Sequence, residues 1–501
     1  MPSGNQHIEV HGKAVRTADA LRTTIVALAL LTGHAAVAQA PFDPSVAETV
    51  ETVRITASGQ RFVPRQSLTP GGAPKHTADY DVTVTWNPGG WLAREEWQLN
   101  TVFPVVTGFA YSMTYGELTG IKDGQDNFRA ALDGPTPLTA ARIGANFKDL
   151  WLTNPLILAA HSEASLPPVE FESGGNARHR IALSAHDTEW TLVIDPATGL
   201  PEAVTVMEQD PTNGEGPNRV VFSDWREVSG VPFPFQVEQF LNGGLLRREM
   251  RSVIEVNPDD ADSVLAVPDD LEPGDAAQRH WGWGMSNLLL ARAGLGGPAD
   301  TPQFDNVDLL EVGPDIYQVI GGSHHGLVVV GPDGIAVADA PWYPERSDTL
   351  LRLLEERWPE LPVRYIVMTH HHLDHSGGFR SFVEAGATLV AHQDSVWFYE
   401  EALARAGSRG LNAVAVDGEA QLDGIGRSIG VYDIPNPHSD GMVGVYVPDT
   451  RLFFNSDLYS PGRELQFPLS MNALFAAVRY HGLDVERHVG SHGMGYDSEP
   501  E

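Results

Sequence analysis

Cysteine is absent from all 501 residues, which removes disulfides, thiol nucleophiles, thiolate metal ligands and any sulfur for lipid attachment. Lysine is scarce: of 33 basic residues only four are lysines, none beyond Lys148, and they face 66 acidic residues for a formal net charge of −33. That balance predicts a strongly acidic surface that repels nucleic acid, anionic membranes and polyanions, which leaves a neutral or apolar small molecule as the expected substrate. Long apolar runs are missing too. With no run of about 18 or more, no integral membrane span is expected, and 42% hydrophobic content points to a soluble, globular chain with at least two cores.

What is present begins with a processing pattern. Lys13, Arg16 and Arg22 precede an apolar stretch from Thr24 to Leu31 and then Ala36-Val37-Ala38, the layout of a secretory signal over residues 1–38 with cleavage expected after Ala38 and an uncleaved anchor as the alternative. Pro41 disfavours cleavage after Ala40. The expected mature protein is therefore periplasmic or secreted.

Residues 369–378 read THHHLDHSGG and place His370, His372, Asp374 and His375 within six positions. Imidazole and carboxylate together suit Zn²⁺ and neighbouring transition metals, and a catalytic site keeps one coordination position open for water or substrate. The apolar run Val363 to Met368 reads as a buried strand, and Gly377-Gly378 followed by Phe379 to Ala385 reads as the start of a helix, so these side chains sit on a strand-to-helix loop.

This decapeptide resembles the HxHxDH signature of the metallo-β-lactamase-fold hydrolases. Three further segments match that family's downstream pattern in order: His438 in NPHSDGM (436–442), Asp457 in FFNSDLY (453–459) and His492 in GSHGMG (490–495). The resemblance implies that His370, His372 and His438 hold one metal and Asp374, His375 and His492 a second, with Asp457 bridging. It also implies that Asp339, in VADAP, hydrogen-bonds a ligand histidine and fixes its tautomer. His371 is expected to point away from the metals, and His392 to be structural. His324 and His325, in GGSHHG, and Tyr459 are candidate substrate contacts, although a solvated turn is the expected state of the histidine pair.

The implied cofactor is two Zn²⁺ ions, with Fe or Mn as substitutes. Two metals lower the pKa of a shared water to about 7 and polarise a carbonyl, so no serine or cysteine nucleophile is needed. Asp374 would be the catalytic group that orients this water or relays its proton. The lack of cysteine excludes the zinc β-lactamases with a cysteine ligand, and the bridging acid is the pattern of the glyoxalase II, lactonase and esterase branches. Tyr459 is offset from the tyrosine that lactonases carry, and no basic cluster awaits a glutathione carboxylate. Hydrolysis of an ester, lactone, thioester or amide is the leading expectation. The alternatives are a mono-iron sulfur dioxygenase and a periplasmic carrier of a lipid or other hydrophobic ligand whose hydrolase domain is inert.

Ahead of the hydrolase region, Arg178 to Val256 alternates apolar and polar positions between turns rich in Asp, Pro, Asn and Gly, the pattern of an antiparallel meander. FSDWREV (222–228) followed by GVPFPF (230–235) resembles the LolA-like lipoprotein-carrier superfamily, which implies a curved sheet around helices and an apolar cavity over residues 75–256. Leu138 to Ala160, interrupted at Asn154-Pro155, supplies the helices. Trp86, Trp91, Trp97 and Trp151 are expected in core packing, with cavity lining as the alternative. The expected organisation is an extension over 39–74, the LolA-like β-rich domain over 75–256, a linker over 257–304 and an α/β catalytic domain over 305–499 with the αββα sandwich. Trp281 and Trp283, inside the linker, either dock the domains or border the active-site mouth.

Overall fold

The computed structural model describes residues 49–89, 91–127, 130–164, 168–212, 214–294, 306–408, 410–462 and 467–496. Residues 1–38, where a signal is expected, lie outside these. Among the described residues no helix is long and apolar enough to cross a membrane.

The N-terminal region is a 15-stranded sheet whose strands pair antiparallel. Its first strand, Val53–Val63, lies mid-sheet between Lys75–Asn87 and Gly244–Val256, so the sheet starts ahead of the span 75–256 read from the sequence. One meander runs outward through Leu92–Thr101 and Thr107–Tyr115, the other through Val231–Leu241, Gly214–Val228 and Pro201–Asp210. Along Leu92–Thr101 buried and exposed residues alternate, as a sheet covered on one face requires. The covering layer is Ala140–Thr153 and Pro155–Ala160, broken at Asn154-Pro155 as expected. Trp86, Trp97 and Trp151 are buried in this core, with Trp91 packed against it.

The side of the sheet that meets helix Ala140–Thr153 also carries charge. Glu249 accepts from Tyr80 Oη at 3.0 Å and from Arg251 Nε at 3.1 Å, and Arg247 reaches Asp149 at 2.9 Å. Burial tends to raise the Glu249 carboxyl, but Arg247 and Arg251 overcome it and hold the group below its ordinary value. An ionic network therefore joins sheet and helix beside the apolar core.

The C-terminal region is the αββα sandwich. Its seven-stranded sheet runs antiparallel from Asp308–Gly313 through Ile316–Ile320 and Gly326–Gly331 to Gly334–Ala338, then parallel through Val363–Val367, Thr388–His392 and Ala413–Val416. The five-stranded sheet is Glu419–Gln421, Gly430–Asp433, Val443–Val447, Leu452–Asn455 and Arg487–Gly490. Every residue of Gly326–Gly331 is buried because the strand is covered twice. Leu327 and Val329 join the core between the sheets, while Val328 and Val330 pack with Leu350 and Leu354 of helix Pro344–Arg357. Helix Pro468–Tyr480 covers the second sheet.

The stretch 257–304 is more than a linker. It holds helices Ala276–Gly284 and Ser286–Gly294, which cross Ala140–Thr153 at close range. A Cβ on Gly282 would fall 1.9 Å from the Ala141 carbonyl oxygen, so glycine is what lets the helices touch. Trp283 faces Trp91 and Trp190 on the sheet side, and Trp281 meets Tyr343 of the sandwich edge-on at 5.7 Å. Of the two roles open to these tryptophans, the structure selects docking of the domains.

Candidate metal centre

The candidate residues gather where loops leave the strands. The THHHLDH loop follows Val363–Val367 and turns into a single helical turn, Leu373–Ser376. Gly377 ends that turn because a Cβ there would lie 1.9 Å from the Trp342 carbonyl oxygen. Asp457 follows Leu452–Asn455 and His492 follows Arg487–Gly490. His438 sits on a loop pinned by Asn436, whose Oδ1 accepts from the backbone N–H of His438 at 2.8 Å and of Ser439 at 3.0 Å. Asp339, Trp342 and Asp457 have φ of 61°, 72° and 61°, left-handed backbone that non-glycine residues adopt only where the surroundings impose it.

Asp457 stands at the middle. Its Oδ2 lies 2.8 Å from His375 Nε2, 3.2 Å from His438 Nε2 and 3.4 Å from His370 Nε2, and its Oδ1 lies 2.6 Å from His492 Nε2. His438 Nε2 is 3.0 Å from His372 Nδ1. Two groups result that could hold metal ions: His370, His372, His438 and Asp457, and beside them His324, His375 and His492. The buried Nε2 atoms of His370 and His375 face the carboxylate without hydrogen-bond geometry, an arrangement that suits donors aimed at a cation.

The far side of each ring is engaged. His370 Nδ1 lies 3.1 Å from Thr369 Oγ1, and His375 Nδ1 lies 3.3 Å from Asp339 Oδ2, which also accepts from Ser456 Oγ. Asp339 thus contacts one of the predicted ligand histidines, as the resemblance implies. Its Oδ1 accepts from the Thr369 N–H at 3.0 Å, tying it to the loop itself. Burial, with His372 and His375 close by, pushes His370 down to about 3, so its imidazole is neutral with a lone pair available. Burial works to raise the Asp457 carboxyl, yet His375, His492 and His438 hold it well below the usual carboxylate range.

Other residues depart from expectation. Asp374 belongs to neither group: its Oδ1 accepts from Gln66 Nε2 at 2.7 Å and its Oδ2 lies 3.1 Å from His324 Nε2. His324 and His325 are buried rather than in a solvated turn. His325 braces the His492 loop instead of entering the centre, with Nδ1 2.7 Å from the Gly493 carbonyl. Tyr459, read as a substrate contact, packs against Phe475 and His488 under helix Pro468–Tyr480. His371 does point elsewhere, between Ser67 Oγ and Ser439 Oγ at 3.3 Å each. His392 packs with the loop around Gly441.

Sequence reading missed the contribution of the N-terminal sheet. After Val53–Val63 the chain makes the short turn Pro64–Gln66 and lies across the metal loop. His372 Nε2 donates to the Ser67 carbonyl at 2.9 Å, which leaves Nδ1 free to face His438, and the Asp440 N–H donates to the Leu68 carbonyl at 2.8 Å. Buried Arg65 anchors this strap on Asp210 at 2.8 Å. Nothing in PRQSL marks it, since its contacts are two backbone carbonyls, one serine hydroxyl and a single glutamine. Gln318 was missed likewise: it is buried and donates to the Gly490 and Gly493 carbonyls at 2.9 and 3.0 Å, clamping the His492 loop.

Residues 319–483 match the family model of the metallo-beta-lactamase superfamily. The C-terminal region is a metallo-beta-lactamase superfamily domain. Over 152 residues, 29% of this chain and 44% of the relative, it is 28% identical to the 2,4-dinitroanisole O-demethylase subunit alpha of Nocardioides sp. (strain JS1661). Over 127 residues, 24% of this chain and 19% of the relative, it is 30% identical to a linear primary-alkylsulfatase of Pseudomonas sp.. The match spans less than half the length of either curated relative. Among solved structures, DIM-1 metallo-beta-lactamase aligns at 17% identity with a TM-score of 0.32, over 38% of this chain and 92% of that chain.

Proposed function

We propose that the chain is a metal-dependent hydrolase that works with two divalent cations and cleaves a carbonyl bond in a neutral or apolar substrate. The observation that carries this reading is the position of Asp457, in reach of histidines from both groups at once. His370, His372 and His438 would hold one cation, His375 and His492 the other, and Asp457 both. A bound pair supplies a strong nucleophile from water at neutral pH and polarises the bond under attack.

The chain's own residues do the rest. Asp339 and the Ser67 carbonyl fix the ring orientation of His375 and His372. Asp374, held by Gln66 through Oδ1, turns Oδ2 towards His324 and the second group, where it would help to hold or orient what binds there. The alkylsulfatase match favours a second reading, in which the same centre opens a sulfate ester.

Metal analysis of the purified protein, with turnover of aryl esters, lactones, β-lactams and alkyl sulfates, tests both. About two ions per chain with chelator-sensitive turnover of a carboxylic substrate is expected. Turnover of alkyl sulfates alone would transfer the assignment to the second reading. A fully loaded, active sample with one ion or none would end both.

A further inference from the structure

His324 lies on the turn between strands Ile316–Ile320 and Gly326–Gly331, away in sequence from every segment of the HxHxDH pattern. The turn carries its ring inward: it is 4% exposed, edge-on to Trp342 at 4.8 Å and to His492 at 4.2 Å between centroids. Its Nδ1 lies 2.9 Å from Ser323 Oγ, a hydroxyl able to accept a hydrogen bond from Nδ1–H or to donate one to Nδ1. With that proton on Nδ1, Nε2 presents a lone pair, and what it faces at 3.1 Å is Asp374 Oδ2, itself an acceptor. In that tautomer the two acceptors would share a cation, whereas in the other Nε2–H donates to the carboxylate, so the contact is one that ion binding would remake.

We propose that His324 supplies an imidazole to the second cation, alongside His375, His492 and Asp374. The inference rests on the binuclear reading above and adds a side chain that this reading does not use. Two donors about 2.1 Å from a common ion stand roughly 3 to 3.4 Å apart. The pair His324 Nε2 and Asp374 Oδ2 falls in that interval, as does the pair His372 Nδ1 and His438 Nε2 in the first group. The ligand atoms of His324, His375 and His492 all lie within 4.8 Å of one another. Gln66 occupies the opposite oxygen of Asp374 and so turns Oδ2 towards His324. The second position is then rich in nitrogen, which favours zinc-like ions over oxygen-seeking magnesium or calcium.

The test reads bonding rather than turnover. Protein with nitrogen-labelled histidine rings is loaded with cadmium, and one-bond cadmium-to-nitrogen coupling is sought at each Nε2. The His324 signals are assigned by their loss in His324→Gln, with thermal unfolding to confirm that the variant folds. Coupling at His324 together with His375 and His492 is the expected result. Coupling at His375 and His492 but not at His324 overturns the inference and leaves the binuclear reading standing. Absence of coupling at all three overturns both. In a parallel Zn²⁺ titration of chelator-stripped protein, His324→Ala should weaken the second binding step at least tenfold and leave the first within twofold. Equal steps in variant and wild type would count against His324 as a ligand.

Discussion

At the scale of single residues, the loops divide into side chains aimed at the centre and side chains that hold them. Asp457→Ala removes the carboxylate that lies in reach of histidines from both groups, and turnover should fall more than ~100-fold with loss of bound metal, read by kinetics and elemental analysis. His371→Ala should behave differently. It loses two serine hydrogen bonds and a buried ring, so denaturant unfolding should show a cost of about 1–3 kcal/mol while metal content stays unchanged. The pattern HxHxDH made that contrast legible in advance, since spacing alone separates His371 from its neighbours. His488 was not legible: nothing in RHVGSH distinguishes a ring packed among Phe453, Tyr459 and Phe475 from a metal ligand. Burial pushes His488 down to about 4, below the ~6.5 of an unfolded chain. Between those values the unfolded chain binds the extra proton, so this part of the stability is intact above pH ~6.5 and is lost as pH falls towards 4, about 3 kcal/mol in all. His488→Phe should flatten that limb of a stability-against-pH curve.

At the scale of elements, periodicity and turn chemistry revealed most of the fold, including the helix broken at Asn154-Pro155 and the buried strand ahead of the metal loop. What stayed hidden depends on residues far apart in sequence. Helix Ala276–Gly284 read as linker because it lies between a stretch rich in Asp and Pro, 257–275, and one rich in Gly and Pro, 294–302, yet its Gly282 permits contact with Ala141. Gly282→Val should destabilise the protein by roughly 3 kcal/mol, measured by chemical unfolding, because backbone stands where the side chain would go. The strap Pro64–Gln66 was equally invisible, a polar turn whose value lies in what it meets. Gln66→Ala keeps the Arg65–Asp210 anchor and should cost ~10- to 100-fold in turnover or metal affinity with little change in folding, checked by kinetics and metal titration.

At the scale of the whole molecule, the helices around Trp281 pack against Trp342, Tyr343 and Leu373 of the sandwich, and the strap from the N-terminal sheet bonds to the metal loop. Metal binding should therefore stabilise both regions together: at 100 times its dissociation constant one ion adds about 2.7 kcal/mol. Chelator should lower the thermal midpoint seen by tryptophan fluorescence, which reports largely on the N-terminal sheet, as much as that seen by circular dichroism. Separate transitions would show that the regions unfold independently. The strap also sets an order of assembly. Synthesis delivers the sheet first, closed by Gly244–Val256 against Val53–Val63 well before His370 leaves the ribosome, and delivers His492 almost last. A nascent chain thus carries a finished cradle for its metal loop while the loop is still incomplete, and ion capture becomes the closing step of biogenesis.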